Sequence, residues 1–242
     1  DLEAGFGQML NAYEITKWMI STGGVAAVHI EDQDVQKKCG HLGGKVLSST
    51  SKHMKRLIAA RLAADVLGIP LVIIARTDSE KGKMISFDSQ DSTDQPYMKR
   101  DESGRAQMVP GEELYHFEGS LKAASDRLVA YAPYAEILWA ETEHPIVSDY
   151  VGVAKPVLDQ YPTRKMGYNN SPSFNEWTAM LREGTAKDFQ RELTDQAGVW
   201  WHFITLAGVH VVDSSIYEFA RDYLKNGMEA YGRIQLKEEH LE

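Results

Sequence analysis

The only cysteine of this 242-residue chain lies among basic residues, in the run Lys37-Lys38-Cys39-Gly40-His41. The thiolate is the reactive form of cysteine, and neighbouring positive charges lower the pKa of a thiol from its ordinary value of about 8.5. Gly40 and the following Gly43-Gly44 leave the backbone free to rearrange, as a loop that closes over a substrate requires. A free cysteine in a basic surface loop is the simpler interpretation, and this run alone does not decide between the two.

Other polar residues that could do chemistry stand directly after apolar runs. Glu31-Asp32 follows Val25–Ile30, and Arg76-Thr77-Asp78 follows the run 70–75. The remaining cases are Glu141-Thr142 after the run 136–140, Asn169 to Ser173 after the run 165–168, and Thr205-Leu206 after the run 201–204. Continuous apolar runs without strict alternation are typical of strands buried on both faces of a parallel sheet.

Helical patterns separate these runs. The segment Leu10–Ile20 is predicted to be a helix, and a second helix is predicted from an N-cap at Ser51 to Gly68. Further predicted helices are Leu114 to Tyr131, Ile146 to Leu158 with a kink or split at Pro156, and Phe189 to Gln196.

The alternation of strands and helices predicts an α/β fold of parallel βα units. Polar residues at the carboxyl ends of strands are typical of a TIM-type (β/α)8 barrel and also of an open doubly wound sheet. The absence of a G-x-G-x-x-G or Walker-type motif after any strand favours the barrel. With five strands visible, about three would precede Asp1, and the chain is expected to be a fragment.

Residues 1–242 are expected to form a single partial barrel domain, from which a polar segment at about 82–110 departs. A polar loop of that length is often a lid or a subunit contact. If the barrel is open, residues 1–242 alone should aggregate and be inactive, because two strand edges would lack neighbours.

Composition narrows the class of protein. A net charge of −9 argues against a general nucleic-acid partner, although it does not argue against an anionic substrate. No apolar run is long enough to span a membrane, so no membrane association is expected. One cysteine excludes a disulfide framework and is compatible with the reducing cytoplasm.

Two groups of residues carry a resemblance to a known family. Glu31-Asp32-Gln33 followed by the cysteine run, together with Ser171-Pro172-Ser173-Phe174-Asn175, resembles the isocitrate lyase family, which also holds 2-methylisocitrate lyase. Further similar segments, in family order, are 1–7, 75–78, 130–135, 139–142 and 203–210. The resemblance implies a barrel, usually a homotetramer with exchanged helices, and Mg²⁺-dependent cleavage of isocitrate into glyoxylate and succinate in the cytoplasm, or in the glyoxysome of a eukaryote.

The reaction that the resemblance implies is a retro-aldol cleavage, in which a positioned acid protonates the succinate carbanion. By resemblance the catalytic residues are Cys39, His41, Arg76 and Glu141. Cys39 is that acid, Arg76 clamps a carboxylate, and Glu141 lies on the substrate side. The implied substrate-binding positions are Lys38, Gly40, His41, Arg76, Asn169, Ser171, Ser173, Thr205 and Leu206. The implied metal carboxylates, for Mg²⁺ or in its place Mn²⁺, are Asp1, Glu3, Glu31 and Asp32.

Several alternatives stay open. Arg76 could instead form a structural ion pair with Asp78 or Glu31. The substrate could be 2-methylisocitrate, since one methyl group is worth only about 1–3 kcal/mol of discrimination. The chain could also be a catalytically inert fragment that acts only in assembly. Asn170, Ile30 and Glu176 depart from the family pattern, and the family's glyoxylate-binding Ser-Gly-Trp segment is not in this sequence.

Overall fold

The computed structural model describes residues 1–34, 44–86 and 91–239. The chain divides into two compact units, Asp1–Phe203 and Ile204–Glu242. The first unit contains both sheets and holds every strand of the described residues.

The main sheet consists of five parallel strands in the order β1-β3-β6-β7-β8. Their bounds are Ala27–Glu31 for β1, Val72–Thr77 for β3, Ile137–Ala140 for β6, Lys165–Asn169 for β7 and Val199–Phe203 for β8. All five predicted strands are present, shifted by at most two residues at their starts and ends. Each neighbour in the sheet is the next main-sheet strand along the chain, as in one arc of a (β/α)8 barrel.

Helix α1 precedes the first of these strands, and helices α2 to α6 lie between them along the chain. Their bounds are Met9–Gly23 for α1, Thr50–Leu67 for α2, Leu121–Tyr131 for α3, Val147–Gln160 for α4, Trp177–Glu183 for α5 and Phe189–Ala197 for α6. Apolar residues of α2, α3, α4 and α6 pack against the sheet in one continuous core. Leu57, Leu128, Val153 and Leu193 are each completely buried in that core.

The start of α2 differs from the sequence prediction. The N-cap is Ser49 rather than Ser51, and its side chain accepts a hydrogen bond from the amide of Lys52. Carboxylates from residues 91–94 occupy the next positions, since Asp94 accepts from the Thr50 amide and Asp91 from the Ser51 amide. The helix therefore begins two residues earlier because side chains distant in sequence satisfy its first amides.

The helix predicted from Leu114 starts instead at Leu121. Residues Leu114–His116 form a short strand, β5, and Ser120 caps α3 by accepting from the Ala123 amide. A Cβ at Gly119 would lie 2.4–2.6 Å from the carbonyl oxygens of Ser79, Glu80 and Gly82. Only glycine fits this close backbone approach, so the chain turns here before the helix begins.

Of the predicted kink or split at Pro156, the split is wrong, because α4 runs through this residue from Val147 to Gln160. Buried residues on both sides of the proline, Val153, Ala154 and Val157, belong to the main core. Their packing holds the two halves of the helix in one element.

The polar segment at about 82–110 contributes to a second, three-stranded sheet. Its order is β2-β4-β5, where β2 is Lys45–Leu47 and β4 is Gly82–Ser86. β2 pairs with β4 in parallel, and β4 pairs with β5 in antiparallel. Leu47, Ile85, Met98, Phe117 and Ala123 form a small core of their own beneath it.

The second unit contains the helices α7 (Ala207–Asn226) and α8 (Met228–Glu239). Ala230 is its one buried hydrophobic residue among those that the structure describes. No helix in the described ranges combines the length and the apolar character that a membrane crossing needs.

Candidate active site

Strand register brings polar residues together at the carboxyl edge of the main sheet. Glu31 lies opposite Arg76 across β1 and β3. The amide of Glu141 donates to the carbonyl of Thr77, and Asn169 is the last residue of β7. Glu31, Arg76, Glu141 and Asn169 are all buried in the first unit. This is the strand edge that parallel α/β folds use for catalysis.

Arg76 is held by carboxylates and an aromatic ring. Its Nε lies 2.9 Å and its Nη2 3.1 Å from the two oxygens of Asp78, and its Nη1 lies 3.3 Å from Oε2 of Glu31. The guanidinium stands over the ring of Trp139, 4.4 Å from its centroid. Burial opposes the charged form, but Asp78, Glu141 and Glu31 outweigh it and raise the pKa of Arg76.

The structural ion pair considered for Arg76 is therefore present. Asp78 takes two of the five guanidinium N–H groups and Glu31 forms its ion pair through Nη1. A guanidinium can bind more than one carboxylate in this way. The clamp role and the ion pair are compatible, and the second orients the arginine for the first.

Asp78 joins Arg76 to a second buried cation. Its Oδ1 accepts a 2.6 Å hydrogen bond from Nζ of Lys45, and the side chains of Lys45 and Asp78 are fully buried. Burial alone would raise the pKa of Asp78, but Arg76 and Lys45 hold that pKa below the ordinary value. The carboxylate thus stays ionised inside the protein.

Asp32, one of the four residues implied as metal carboxylates, is occupied by protein donors. It accepts from the Thr77 hydroxyl at 2.6 Å, the Asp78 amide at 2.9 Å, Nη1 of Arg127 at 2.8 Å and the Tyr131 hydroxyl at 3.0 Å. The carboxylate is completely buried among these partners. We therefore correct its assignment from the metal shell to a structural network that fixes the end of β3.

Glu141 and Asn169 form a second pair at the edge. Nδ2 of Asn169 donates to Oε1 of Glu141 at 3.2 Å. Burial raises the pKa of Glu141, and Asp78 adds to this, against the opposing effect of Arg76 and Lys45. A glutamic acid with a raised pKa can retain a proton closer to neutral pH, as a substrate-side acid or hydrogen-bond donor requires.

The serine run after β7 begins buried and becomes exposed. Ser171 is buried, and its Oγ accepts from the amide of Ser173, whose residue is exposed. The departure at Asn170 is accommodated locally, because Nδ2 of Asn170 donates to the carbonyl of Phe203 at 3.1 Å. Asn170 therefore stabilises the contact between β7 and β8.

The other implied metal carboxylates lie beside β1. Oδ1 of Asp1 is 3.1 Å from Nε2 of His29, and the Glu3 carbonyl accepts from the Glu31 amide at 2.9 Å. The Leu2 amide also donates to the His29 carbonyl at 3.0 Å, so residues 1–3 run alongside the end of β1. Asp1 is exposed, and the Glu31 side chain is buried. No group of three His, Cys, Asp or Glu side chains in the described residues surrounds a single ion position.

These carboxylates suit a hard divalent cation. Mg²⁺ is usually bound by one or two carboxylates together with waters and substrate oxygens, so it does not need three protein ligands. Asp1 and Glu31 supply oxygen donors of that kind. The donor set fits Mg²⁺ or Mn²⁺ better than zinc, which favours cysteine and histidine.

Several implied residues lie elsewhere. Lys38, Cys39, Gly40 and His41 fall outside the described residues. Thr205 and Leu206 belong to the second unit, where Leu206 has a φ of +61° immediately before α7.

Sequence reasoning missed Lys45 and Arg127 as parts of the network. Both are charged residues that directly precede apolar ones, since Lys45 precedes Val46-Leu47 and Arg127 precedes Leu128-Val129. A charged residue is almost never fully buried unless it is paired. A charged residue directly before apolar ones was therefore a signal for a buried ion pair.

Comparison with known proteins agrees with the site. The model of the family described as "Isocitrate lyase family" matches residues 1–101 and 102–242. The chain belongs to the isocitrate lyase family. This confirms the resemblance drawn from the cysteine run and the serine run.

Relatives in the isocitrate lyase family share about two fifths of their residues with this chain. A protein of Caenorhabditis elegans named "Bifunctional glyoxylate cycle protein" is 44% identical over 97% of this chain and 24% of its own length. "Isocitrate lyase" of Halalkalibacterium halodurans is 41% identical, and "Isocitrate lyase 1" of Mycobacterium tuberculosis is 42% identical, each over 98% of this chain and 53% of its own length. The chain thus spans about half, or less, of these curated relatives.

Solved structures show the same fold at low identity. Oxaloacetate acetylhydrolase in complex with 3,3-difluorooxalacetate is 18% identical, with a TM-score of 0.61 over 93% of this chain and 59% of that chain. A 2,3-dimethylmalate lyase is 23% identical, with a TM-score of 0.56 over 94% of this chain and 58% of that chain. The likeness confirms the α/β barrel class predicted from the strand pattern. Members of the isocitrate lyase family are generally metal-dependent.

Proposed function

We propose that the protein containing this chain cleaves isocitrate into glyoxylate and succinate. The observation that carries the proposal is the buried arginine at the strand edge of an isocitrate lyase family fold, where Arg76 is oriented by Asp78 and Glu31. The names of the relatives favour isocitrate over 2-methylisocitrate as the substrate.

The chemistry assigned to the chain's own residues is proton transfer and carboxylate binding. A base removes the proton of the C2 hydroxyl, the C2–C3 bond breaks, and its electron pair stays on C3 as glyoxylate leaves. Cys39 then gives its proton to C3, which completes succinate. Arg76 binds a substrate carboxylate and stabilises the negative charge that develops there.

The remaining polar residues have binding roles in this proposal. Asn169, Ser171 and Ser173 donate hydrogen bonds to the succinate carboxylates. By resemblance to the family, Lys38, Gly40, His41, Thr205 and Leu206 are also proposed as substrate-binding residues. Glu141 lies on the substrate side and is held by Asn169.

The proposed metal is Mg²⁺, replaceable by Mn²⁺, with Asp1, Glu3 and Glu31 as its carboxylates. Bound there, the ion would polarise the substrate's hydroxyl and carboxylate oxygens. We further propose that the complete protein acts as a homotetramer in the cytoplasm, or in the glyoxysome if the source is a eukaryote.

The test is an activity assay on the protein made from its complete reading frame. Release of glyoxylate should be measured with isocitrate and, separately, with 2-methylisocitrate for release of pyruvate. The Cys39→Ser variant should lose turnover by orders of magnitude while it still binds succinate, because the hydroxyl is a much weaker acid. Faster cleavage of 2-methylisocitrate than of isocitrate would change the assigned substrate. Cleavage of neither compound would favour the inert assembly role. Near-normal turnover of the Cys39→Ser variant would remove the assigned role of Cys39 as the acid.

A further inference from the structure

Lys45 is a buried cation to which the reaction outlined above gives no role. It is the first residue of β2, and its Nζ lies 2.6 Å from Oδ1 of Asp78. Both side chains are fully buried. Placing an ammonium group in the interior is costly unless a well-placed carboxylate receives it, so this contact holds Asp78 as firmly as it holds Lys45.

Asp78 in turn holds Arg76 on its other side. Oδ2 accepts from Nε of Arg76, and Oδ1, which receives Lys45, also accepts from Nη2 at 3.1 Å. The backbone of Asp78 is fixed as well, because its amide donates to Asp32. The carboxylate is thus immobilised from two directions and presents a fixed edge to the guanidinium.

Charge gives Lys45 a further effect on Arg76. Two cations, Lys45 and Arg76, share this region with three carboxylates, those of Asp78, Glu31 and Glu141. These five described groups sum to a net charge of −1 if all are ionised, and to zero if Glu141 is protonated. Without Lys45 that sum would be one unit more negative in either case, and Asp78 would lose one of the two cations that donate to it. An incoming dicarboxylate would then meet a more repulsive site.

We propose that Lys45 is a positioning residue for Arg76, and that it acts through Asp78. Lys45 neutralises and fixes the carboxylate, so that the guanidinium stays over the ring of Trp139 with N–H groups directed at a substrate carboxylate. This proposal rests on the proposed function, since it takes Arg76 to be the residue that binds substrate.

The experiment uses the complete protein and three variants, Lys45→Met, Asp78→Asn and the double variant. The dissociation constant of succinate is measured by calorimetry, together with kcat and KM for isocitrate. A matched control is Arg61→Met, which breaks the ion pair of Arg61 with Glu136. Oε2 of Glu136 also accepts from the Ile73 amide, near the start of β3. This pair lies toward the opposite end of the strand from Arg76, so its loss should reduce stability and leave substrate binding unchanged.

Lys45→Met and Asp78→Asn should each weaken succinate binding and raise KM by about 10- to 100-fold, as expected when a binding group is displaced by roughly 1 Å. The double variant should be no weaker than Asp78→Asn, because Lys45 then has no carboxylate to act through. Folded Lys45→Met with unchanged succinate affinity, or additive losses in the double variant, would overturn the proposal. If the Lys45→Met variant fails to fold, the double variant is measured in its place, because it buries neither charge. If neither variant folds, the Lys45–Asp78 pair is purely structural and the proposal is overturned.

A crystal structure of Lys45→Met, or of the double variant if that one folds, separates this proposal from the proposed function. Absence of isocitrate cleavage in the unaltered protein would refute the function alone. In that case, movement of the Arg76 guanidinium off the Trp139 ring would still support positioning by Lys45. An unmoved Arg76 would refute it.

Discussion

Asp32 and Asp78 show, at the scale of single residues, how this fold accommodates carboxylates in its interior. Asp32 accepts from Arg127, from two hydroxyls and from a backbone amide, whereas Asp78 accepts from Lys45 and Arg76. In both cases fixed partners offset the cost of burial. Arg127 forms a buried ion pair with Asp32, as Lys45 does with Asp78. Two carboxylate–cation pairs in series therefore fix the end of β3, where Arg76 must be held.

His53 lies beside this network without joining it. It is fully buried, and its ring makes an edge contact with Tyr131 at 4.6 Å between centroids. Neither ring nitrogen has a hydrogen-bond partner within the part of the chain that the structure describes. Burial lowers the pKa of His53 to about 3; Asp32 and Asp78 oppose this shift, while Arg56 and Arg127 add to it. The histidine is therefore neutral in the folded protein over a wide pH range.

This gives a pH dependence of stability with a defined sign. Between pH 6.5 and 3 the unfolded chain binds a proton at His53 and the folded chain does not, so the free energy of unfolding falls as pH is lowered. Between pH 6.5 and 5 the loss should be up to about 2 kcal/mol. His53→Phe should abolish this component while retaining the contact with Tyr131. Urea denaturation at pH 7.5 and pH 5 checks it, and an equal pH dependence in variant and wild type would contradict it.

The proposed metal site gives a second prediction for individual side chains. Activity of the complete protein should disappear with EDTA and return with Mg²⁺ or Mn²⁺, because Asp1 and Glu31 are hard oxygen donors. Glu31→Gln should raise the Mg²⁺ concentration needed for half-maximal activity. Asp32→Asn should reduce the melting temperature without changing that concentration, since the protein's own donors occupy Asp32. Activity that is indifferent to chelation would remove the metal from the proposal.

At the scale of elements, the start of α2 depends on a segment more than forty residues away in sequence. Asp94 accepts from the amide and the hydroxyl of Thr50, each at 2.8 Å, and its Oδ1 also accepts from Nη2 of Arg127. One buried carboxylate thus connects the polar segment, the first turn of α2 and the middle of α3. A local capping pattern could not indicate this, which is why Ser51 was predicted in place of Ser49.

Asp94→Asn should therefore destabilise the fold strongly. It leaves Arg127 with a single carboxylate, Asp32, and removes the charge that favours a helix N-terminus, at a cost of about 3 kcal/mol. Asp159→Asn is the matched control, because Asp159 pairs with Lys155 on the exposed face of α4 and should cost well under about 1 kcal/mol. Thermal and urea denaturation of both variants measure the difference. Equal stability of the two variants would show that the Asp94 contacts contribute little.

The elements that sequence predicts well and badly differ in where their contacts come from. The five main strands are continuous apolar runs such as the one that ends at Glu31, and burial on both faces makes such runs visible. Strands β2, β4 and β5 are short and partly polar, and only their mutual pairing defines them. The turn at Gly119 depends on backbone oxygens of residues 79–82, which no local pattern reveals.

For the whole molecule, family resemblance and strand pattern predicted the barrel class, and they predicted the strand edge where Arg76, Glu141 and Asn169 meet. They did not reveal the interior pairs that hold this edge, because Lys45 contacts Asp78 across 33 residues and Arg127 contacts Asp32 across 95. Long-range pairing of this kind is fixed by the fold, so it becomes visible only once the strands are placed.

The last prediction concerns residues 1–242 as an isolated chain. In the described sheet, β1 pairs only with β3 and β8 only with β7, so each leaves one edge open. The helices of the second unit expose large apolar side chains, among them Val212, Ile216 and Leu224. Open parallel edges and exposed apolar helices both favour association between chains. Expressed alone, these residues should form large oligomers in light scattering and bind a hydrophobic dye, whereas the complete protein should do neither. A monomeric, cooperatively melting product that cleaves isocitrate would show that this chain needs no further strands for its fold or its chemistry.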